Sequence, residues 1–261
     1  MKNRIISGLI IAILFTIFYL LGGNYFVILI SIVGILAYKE IIFLKKYPNI
    51  VIILGLISFL SIMLLNSKAS GAYIGINYIS ILLSLILLIL PSLLPKYQKN
   101  YLISDAFSLF GFLTFVGLTL ASLNVYMLTN KILLLYLIVI VCSNDIFAYL
   151  IGKAIGKHKF SKISPNKTIE GCIAGNAMGL ICGTLFYIIF INNSINILFL
   201  IFATFILSIS GQLGDLIFSK IKRENDIKDF SKLIPGHGGI LDRLDSLLFT
   251  SLVYMILIII F

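Results

Sequence analysis

The sequence predicts an all-α, polytopic membrane protein of about nine transmembrane helices with a cytoplasmic N-terminus, and three observations carry that prediction. Of its 261 residues, 60% are hydrophobic and 11% charged, with a mean hydropathy of +1.13. A soluble domain carries about 25% charged residues, so this apolar surface is too large for a single core facing water. The apolar residues also form continuous runs at 5–23, 25–44, 50–65, 76–94, 106–128, 132–151, 172–191, 195–218 and 244–261. None alternates as a barrel strand would, and a segment in lipid must satisfy its own backbone, so each run reads as a helix. The third run is short and Pro91 softens the end of the fourth, which leaves eight and ten as neighbouring counts. Finally, a cytoplasmic N-terminus and nine spans place 18 of the 20 Lys and Arg on the cytoplasmic side, leaving Lys68 and Lys131 outside.

That asymmetry accounts for the net charge of +10 as a topology signal, and excludes nucleic acid as the partner. Met1-Lys2-Asn3-Arg4 before an apolar run resembles a signal peptide, but no small-x-small cleavage site follows, so it reads as a retained first span. Cys142, Cys172 and Cys182 lie in apolar stretches without C-x-x-C spacing and read as buried small hydrophobes. Residues 1–105 form the N-terminal spans one to four, and 106–261 a C-terminal region of spans five to nine. The cytoplasmic loops 152–170 and 219–243 alone have room for a polar site, whereas outer connections such as Ile191-Asn192-Asn193-Ser194 are short. In span seven, Gly171, Gly175, Gly179 and Gly183 recur every four residues on one helix face. Small residues at that spacing let a neighbouring helix approach closely; an acyl chain lying in the same groove is the functional alternative.

Charge is concentrated near the end of the chain: the 27 residues 219–245 hold 11 of the 30 charged side chains. Asp145, Asp215 and Asp245 lie within or at the cytoplasmic ends of spans six, eight and nine. A carboxylate at mid-bilayer costs about 2.5–3.5 kcal/mol on insertion scales, so these acids are expected to face the interior and hold something positive. Asp242 and Asp245, three apart, project from one helix face, as do Asp215 and Ser219, four apart. Hard oxygen ligands without a His or Cys cluster point to Mg²⁺ rather than zinc; pairing with Lys222, Arg223 or Arg243 alone is the bland alternative. Glu40, Lys39 and Asp105 at span ends read as snorkelling or wetted groups. Pro235-Gly236-His237-Gly238-Gly239 before the last span lets backbone N–H groups approach an anion at a helix N-terminus. A plain hairpin between helices would look similar, and His237 alone reads equally well as structural. With Lys222, Arg223, Lys228 and Arg243 the loop reads as a phosphate site. Lys167, just before span seven, is the phosphate contact expected from the earlier loop, which lacks P-loop spacing. Acids and cations on the cytoplasmic face suggest phosphoryl or nucleotidyl transfer to a lipid.

Residues 219–245, read as S-K-I-K-R-x4-K-D-x-S-x2-I-P-G-H-G-G-I-x-D-R-L-D, resemble the signature of phosphatidate cytidylyltransferases (CDP-diacylglycerol synthases). Asp145-Ile146-Phe147-Ala148-Tyr149 is similar to that family's D-T-G-A-Y-F, departing at Ile146 and Phe147, and Ser164-Pro165-Asn166-Lys167-Thr168-Ile169-Glu170-Gly171 to its S-P-x-K-T-x-E-G. The motifs cover about the last 120 residues. The resemblance implies a dimeric enzyme of the bacterial inner (cytoplasmic) membrane that converts CTP and phosphatidic acid to CDP-diacylglycerol and pyrophosphate with one or two Mg²⁺. It implies catalytic roles for Asp215, Asp242, Asp245 and Lys167, and metal ligation by Asp215, Asp242 and Asp245 together with Asp145. Ser219, Lys222, Arg223, Lys228, His237, Gly238, Gly239 and Arg243 would bind substrate. The rival readings are a CTP-dependent lipid kinase and a carrier using the buried acids as a relay.

Overall fold

A computed structural model describes residues 2–67, 76–161, 163–191 and 195–260 of the chain. Lys68, Lys162, Asn192, Asn193 and Ser194, which entered the topology reading, lie outside the described residues. Eight helices follow in order: α1 (Lys2–Leu21), α2 (Gly23–Phe43), α3 (Asn49–Leu65), α4 (Tyr78–Leu93), α5 (Ile103–Ile155), α6 (Ile169–Phe190), α7 (Ile197–Glu224) and α8 (Leu241–Ile260). Among the described residues there is no strand, only isolated bridges pairing Lys159 with Thr168 and Ile234 with Gly238. Helices α2, α5, α6 and α7 are long and apolar enough to cross a membrane, and Ile6–Leu21, Asn49–Leu65 and Tyr78–Leu93 are shorter apolar helices. The protein is a multi-pass membrane protein whose large apolar side chains, such as Leu20, Leu90, Ile189 and Leu198, remain exposed for lipid to cover.

Local chemistry sets the helix starts. Asn77, Thr168 and Asn196 cap α4, α6 and α7 by accepting from the backbone N–H groups of Ser80, Gly171 and Leu198. The 53-residue α5 is not one rod, because Asn130 leaves helical geometry at φ −153° and ψ 96°. Its side-chain oxygen accepts from Ile132 N at 3.1 Å, which begins the second half as an N-cap would. The apolar runs 106–128 and 132–151 fall on either side of that break.

The contacts group the chain into two units, Met1–Thr129 with Asp229–Asp242, and Asn130–Lys228 with Arg243–Phe261. Packing thus divides the chain at Asn130, whereas the sequence reading drew the line after the fourth span, between residues 105 and 106. In the first unit, Phe26, Ile30, Phe59, Ile62, Met63, Leu113, Val116 and Leu120 form a buried core. Gly34 and Gly117 admit its bulk, since a Cβ on Gly34 would stand 2.8 Å from Met63 Sδ and one on Gly117 3.0 Å from Ile62 Cγ2.

In the second unit the glycine stripe of α6 is buried along its whole length. A Cβ on Gly171 would lie 2.5 Å from Ala148 O, and one on Gly175 2.7 Å from Asn144 O, both on the second half of α5. Gly179 faces Ser208 of α7, and Gly183 sits between Ile140 and Thr204. The stripe therefore serves close helix packing, the structural reading of its spacing. Gly179→Leu is expected to lower the yield of folded protein and its thermal midpoint in detergent, because overpacking a rigid contact costs about 1–3 kcal/mol. Gly111→Leu, at a position with nothing within 4 Å of an added Cβ, should leave both unchanged.

Candidate functional site

The charged end of the second unit begins with a contact between backbones. Gly214 of α7 lies so close to α8 that an added Cβ would stand 2.7 Å from Asp245 O and 2.7 Å from Phe249 Cβ. The neighbouring Asp215 is thereby carried to within electrostatic reach of Asp245 on α8 and Asp145 on α5. Asp145 also interacts with Lys167 and Arg243, and Asp245 with Lys222. The structure thus brings together six residues singled out in the sequence: Asp145, Asp215, Asp245, Lys167, Lys222 and Arg243. Asp145 is exposed, Asp215 and Asp245 are half-buried, and Lys222 is buried.

Lys167 forms an ion pair with Asp215, and both side chains remain about a quarter exposed, at 23% and 27%. The loop before α6 fixes where that lysine stands. Phe160 N donates to Lys167 O and Ile169 N donates to His158 O, each at 2.9 Å, which ties the loop back on itself. Thr168 then caps α6. Ser219 Oγ, one turn beyond Asp215, donates to Asp215 Oδ1 at 3.3 Å. Arg223 is exposed and donates to Ile227 O at 3.1 Å, and Lys228 is exposed.

Beneath these charges lies a polar network that the sequence reading missed. Asn144 Nδ2 donates to Ser208 O and Oγ, both at 2.8 Å, and to Asn176 Oδ1 at 3.2 Å. Gln212 Nε2 donates to Asn144 Oδ1 at 2.7 Å and to Cys172 O at 2.9 Å, and Asn176 Nδ2 donates to Gln212 Oε1 at 3.2 Å. Amides inside otherwise apolar spans were the available signal. The network joins α5, α6 and α7 one residue before Asp145 and three before Asp215. A separate cavity of ≈ 530 Å³ in the same unit is lined by Tyr136, Tyr187, Phe199, Leu200, Tyr254 and Leu257.

The glycine-rich turn belongs to the first unit. Gly236 and Gly238 have φ of 78° and 81°, a region that favours glycine. Ile234 N donates to Gly238 O and His237 N to Ile234 O, each at 2.9 Å. His237 Nδ1 lies 2.7 Å from Ser7 Oγ, which donates to Pro235 O at 3.0 Å. Asp242 is 7% exposed, and its Oδ2 accepts from Phe230 N at 2.9 Å and Gly239 N at 2.8 Å. At this helix start the anion expected from the sequence is a carboxylate of the protein itself. Glu40, read from sequence as a wetted group, is instead buried at 3% exposure, because it too serves this turn. Asp105 is half-buried and pairs with the exposed Lys45 at 2.5 Å.

Among the described residues, no three His, Cys, Asp or Glu side chains stand close enough together to hold a metal ion. The donor chemistry nonetheless suits a hard cation: Asp145, Asp215 and Asp245 offer only oxygen, and their like charges repel across the same end of the unit. Gly214→Ala is expected to push α7 from α8 and to abolish whatever activity needs Asp215 beside Asp245, with a thermal midpoint lowered by a few degrees. In the network, Asn144→Leu and Gln212→Leu should each destabilise by about 1–3 kcal/mol, and the double variant by less than their sum. Thermal unfolding in detergent measures both effects.

Comparison with known proteins extends the likeness from the last 120 residues to the whole chain. The profile of the cytidylyltransferase family matches residues 2–261. A phosphatidate cytidylyltransferase of Bacillus subtilis (strain 168) is 36% identical over 263 aligned residues, covering 95% of this chain and 94% of the relative. One from Staphylococcus aureus (strain COL) is 34% identical, and one from Staphylococcus haemolyticus 32%, each covering 99% of both chains. With charged residues gathered at one end of apolar helices and a likeness running from the first helix to the last, the chain belongs to the cytidylyltransferase family.

Proposed function

We propose that this protein is a membrane phosphatidate cytidylyltransferase, which joins CTP to phosphatidate to give CDP-diacylglycerol and pyrophosphate in phospholipid biosynthesis. The observation that carries this reading is the nearly end-to-end similarity to phosphatidate cytidylyltransferases at 32–36% identity. The geometry fits it, because carboxylates and cations meet at one end of helices whose flanks are apolar. An acceptor with acyl chains in lipid and a phosphate at the water boundary suits such a place.

In the reaction a phosphatidate oxygen attacks the α-phosphorus of CTP, the bond from that phosphorus to the bridging oxygen breaks, and pyrophosphate leaves with the electron pair. Positioning and charge neutralisation account for most of the catalysis of such a transfer. A phosphomonoester is already anionic near neutral pH, so the acceptor needs no strong base. Lys167, Lys222 and Arg243 hold phosphate oxygens and offset the charge gathering on the leaving pyrophosphate, with Arg223 and Lys228 at the exposed rim. Ser219 orients Asp215 through its hydroxyl. His237, Gly238 and Gly239 of the glycine-rich turn complete the substrate-binding residues of this reading. One or two Mg²⁺, where bound, supply Lewis-acid polarisation of the phosphate oxygens. The carboxylates to hold them are Asp145, Asp215 and Asp245, with Asp242 one turn back along α8.

The same reading gives nine spans with the N-terminus and the charged end in the cytoplasm, a place in the bacterial inner membrane, and a homodimer. What supports the orientation is the 18-to-2 distribution of Lys and Arg.

Purified protein given labelled CTP, phosphatidate and Mg²⁺ is expected to form CDP-diacylglycerol and pyrophosphate, identified by mass; release of CDP would mark a lipid kinase instead. Chelation by EDTA should abolish turnover, and added Mg²⁺ should restore it. Asp245→Asn and Asp215→Asn should each lower kcat by about 10²–10³, the loss typical of one electrostatic contact to a transition state.

A further inference from the structure

Glu40 lies near the end of α2, far in sequence from every motif of the site. It is 3% exposed, and among the described residues no Lys or Arg forms an ion pair with it. Burying such a charge is costly unless hydrogen bonds satisfy it. All the partners shown for it lie in the stretch that leads into α8. Oε1 accepts from Ser231 Oγ at 2.7 Å and from Ile240 N at 2.8 Å, and Oε2 accepts from Leu241 N at 2.9 Å.

Two of those donors are first amides of α8, which have no partner within a helix and which the helix dipole makes attractive to an anion. Asp242 takes the amides just outside them, those of Phe230 and Gly239. Two buried carboxylates thus divide four amides and one hydroxyl of the stretch 230–241. The fit leaves no room for a side chain: a Cβ on Gly239 would stand 2.7 Å from Glu40 Cδ and Oε2. This contact gives Gly239 a steric reason for being glycine, separate from any anion in the turn.

We propose that Glu40 is a positioning residue for the reaction, acting through α8. By clamping Ile240 and Leu241 it fixes the start and roll of that helix. The next turn carries Asp242, Arg243 and Asp245, so its clamp sets where the carboxylates and the guanidinium stand. Glu40 touches no substrate in this scheme. Its charge does for α8 what a bound phosphate does at other helix starts.

The inference rests on the cytidylyltransferase reading for its kinetic arm only. Glu40→Gln keeps size and one acceptor oxygen but turns an NH₂ group toward an amide donor. Hydrogen exchange measured by mass spectrometry should then rise at least tenfold at the amides of residues 239–241, with exchange in α3, α4 and α6 unchanged. Assayed with CTP, phosphatidate and Mg²⁺, folded Glu40→Gln should lose at least tenfold in kcat while its KM for phosphatidate stays within twofold. Glu40→Asp, which retains the charge, should recover part of the rate. Wild-type protection with full Gln-variant turnover would overturn the proposal. So would failure of both the Gln and Asp variants to fold, which would make Glu40 a determinant of the fold as a whole. If the wild-type protein makes no CDP-diacylglycerol, the functional reading fails, and the exchange arm still decides whether Glu40 holds α8.

Discussion

Close approach of helix backbones is the constraint on which the charged end of this protein depends. A carboxylate has a short side chain, so three of them on separate helices interact only if those helices nearly touch. Gly214 lets α7 rest against the Asp245 carbonyl, and Gly171 and Gly175 let α6 rest against the carbonyls of Ala148 and Asn144. In lipid the hydrophobic effect does not press helices together, so small residues and hydrogen bonds have to do it. Both are present here, the glycines at the contacts and the Asn144–Asn176–Ser208–Gln212 network between them.

Charge is handled differently in the two units. In the second, acids face cations across a partly exposed end, where Lys167 pairs with Asp215. In the first, Glu40 and Asp242 are buried and committed to backbone amides of the stretch 230–241. One set meets cations and the other meets backbone amides. The difference follows from exposure and from the donors each oxygen meets, not from residue type.

Much of this was legible beforehand because it depends on local composition. Apolar runs near twenty residues mark helices in lipid, a four-residue glycine period marks a contact face, and acids inside apolar spans mark a site. The sequence by itself therefore determined the helical, multi-pass character, the Gly171–Gly183 stripe, and the identity of Asp145, Asp215 and Asp245 as unusual groups. Only the tertiary structure decided which carboxylates face one another and which face amides. Glu40 looked like an ordinary rim residue, and its partners lie 191 to 201 positions away. Nor does spacing show that Asn144 and Gln212 bond to each other across the helices. The physical reason is common to these cases: hydropathy and periodicity describe one helix against its solvent, whereas a hydrogen-bond partner on another helix is chosen by how the two pack.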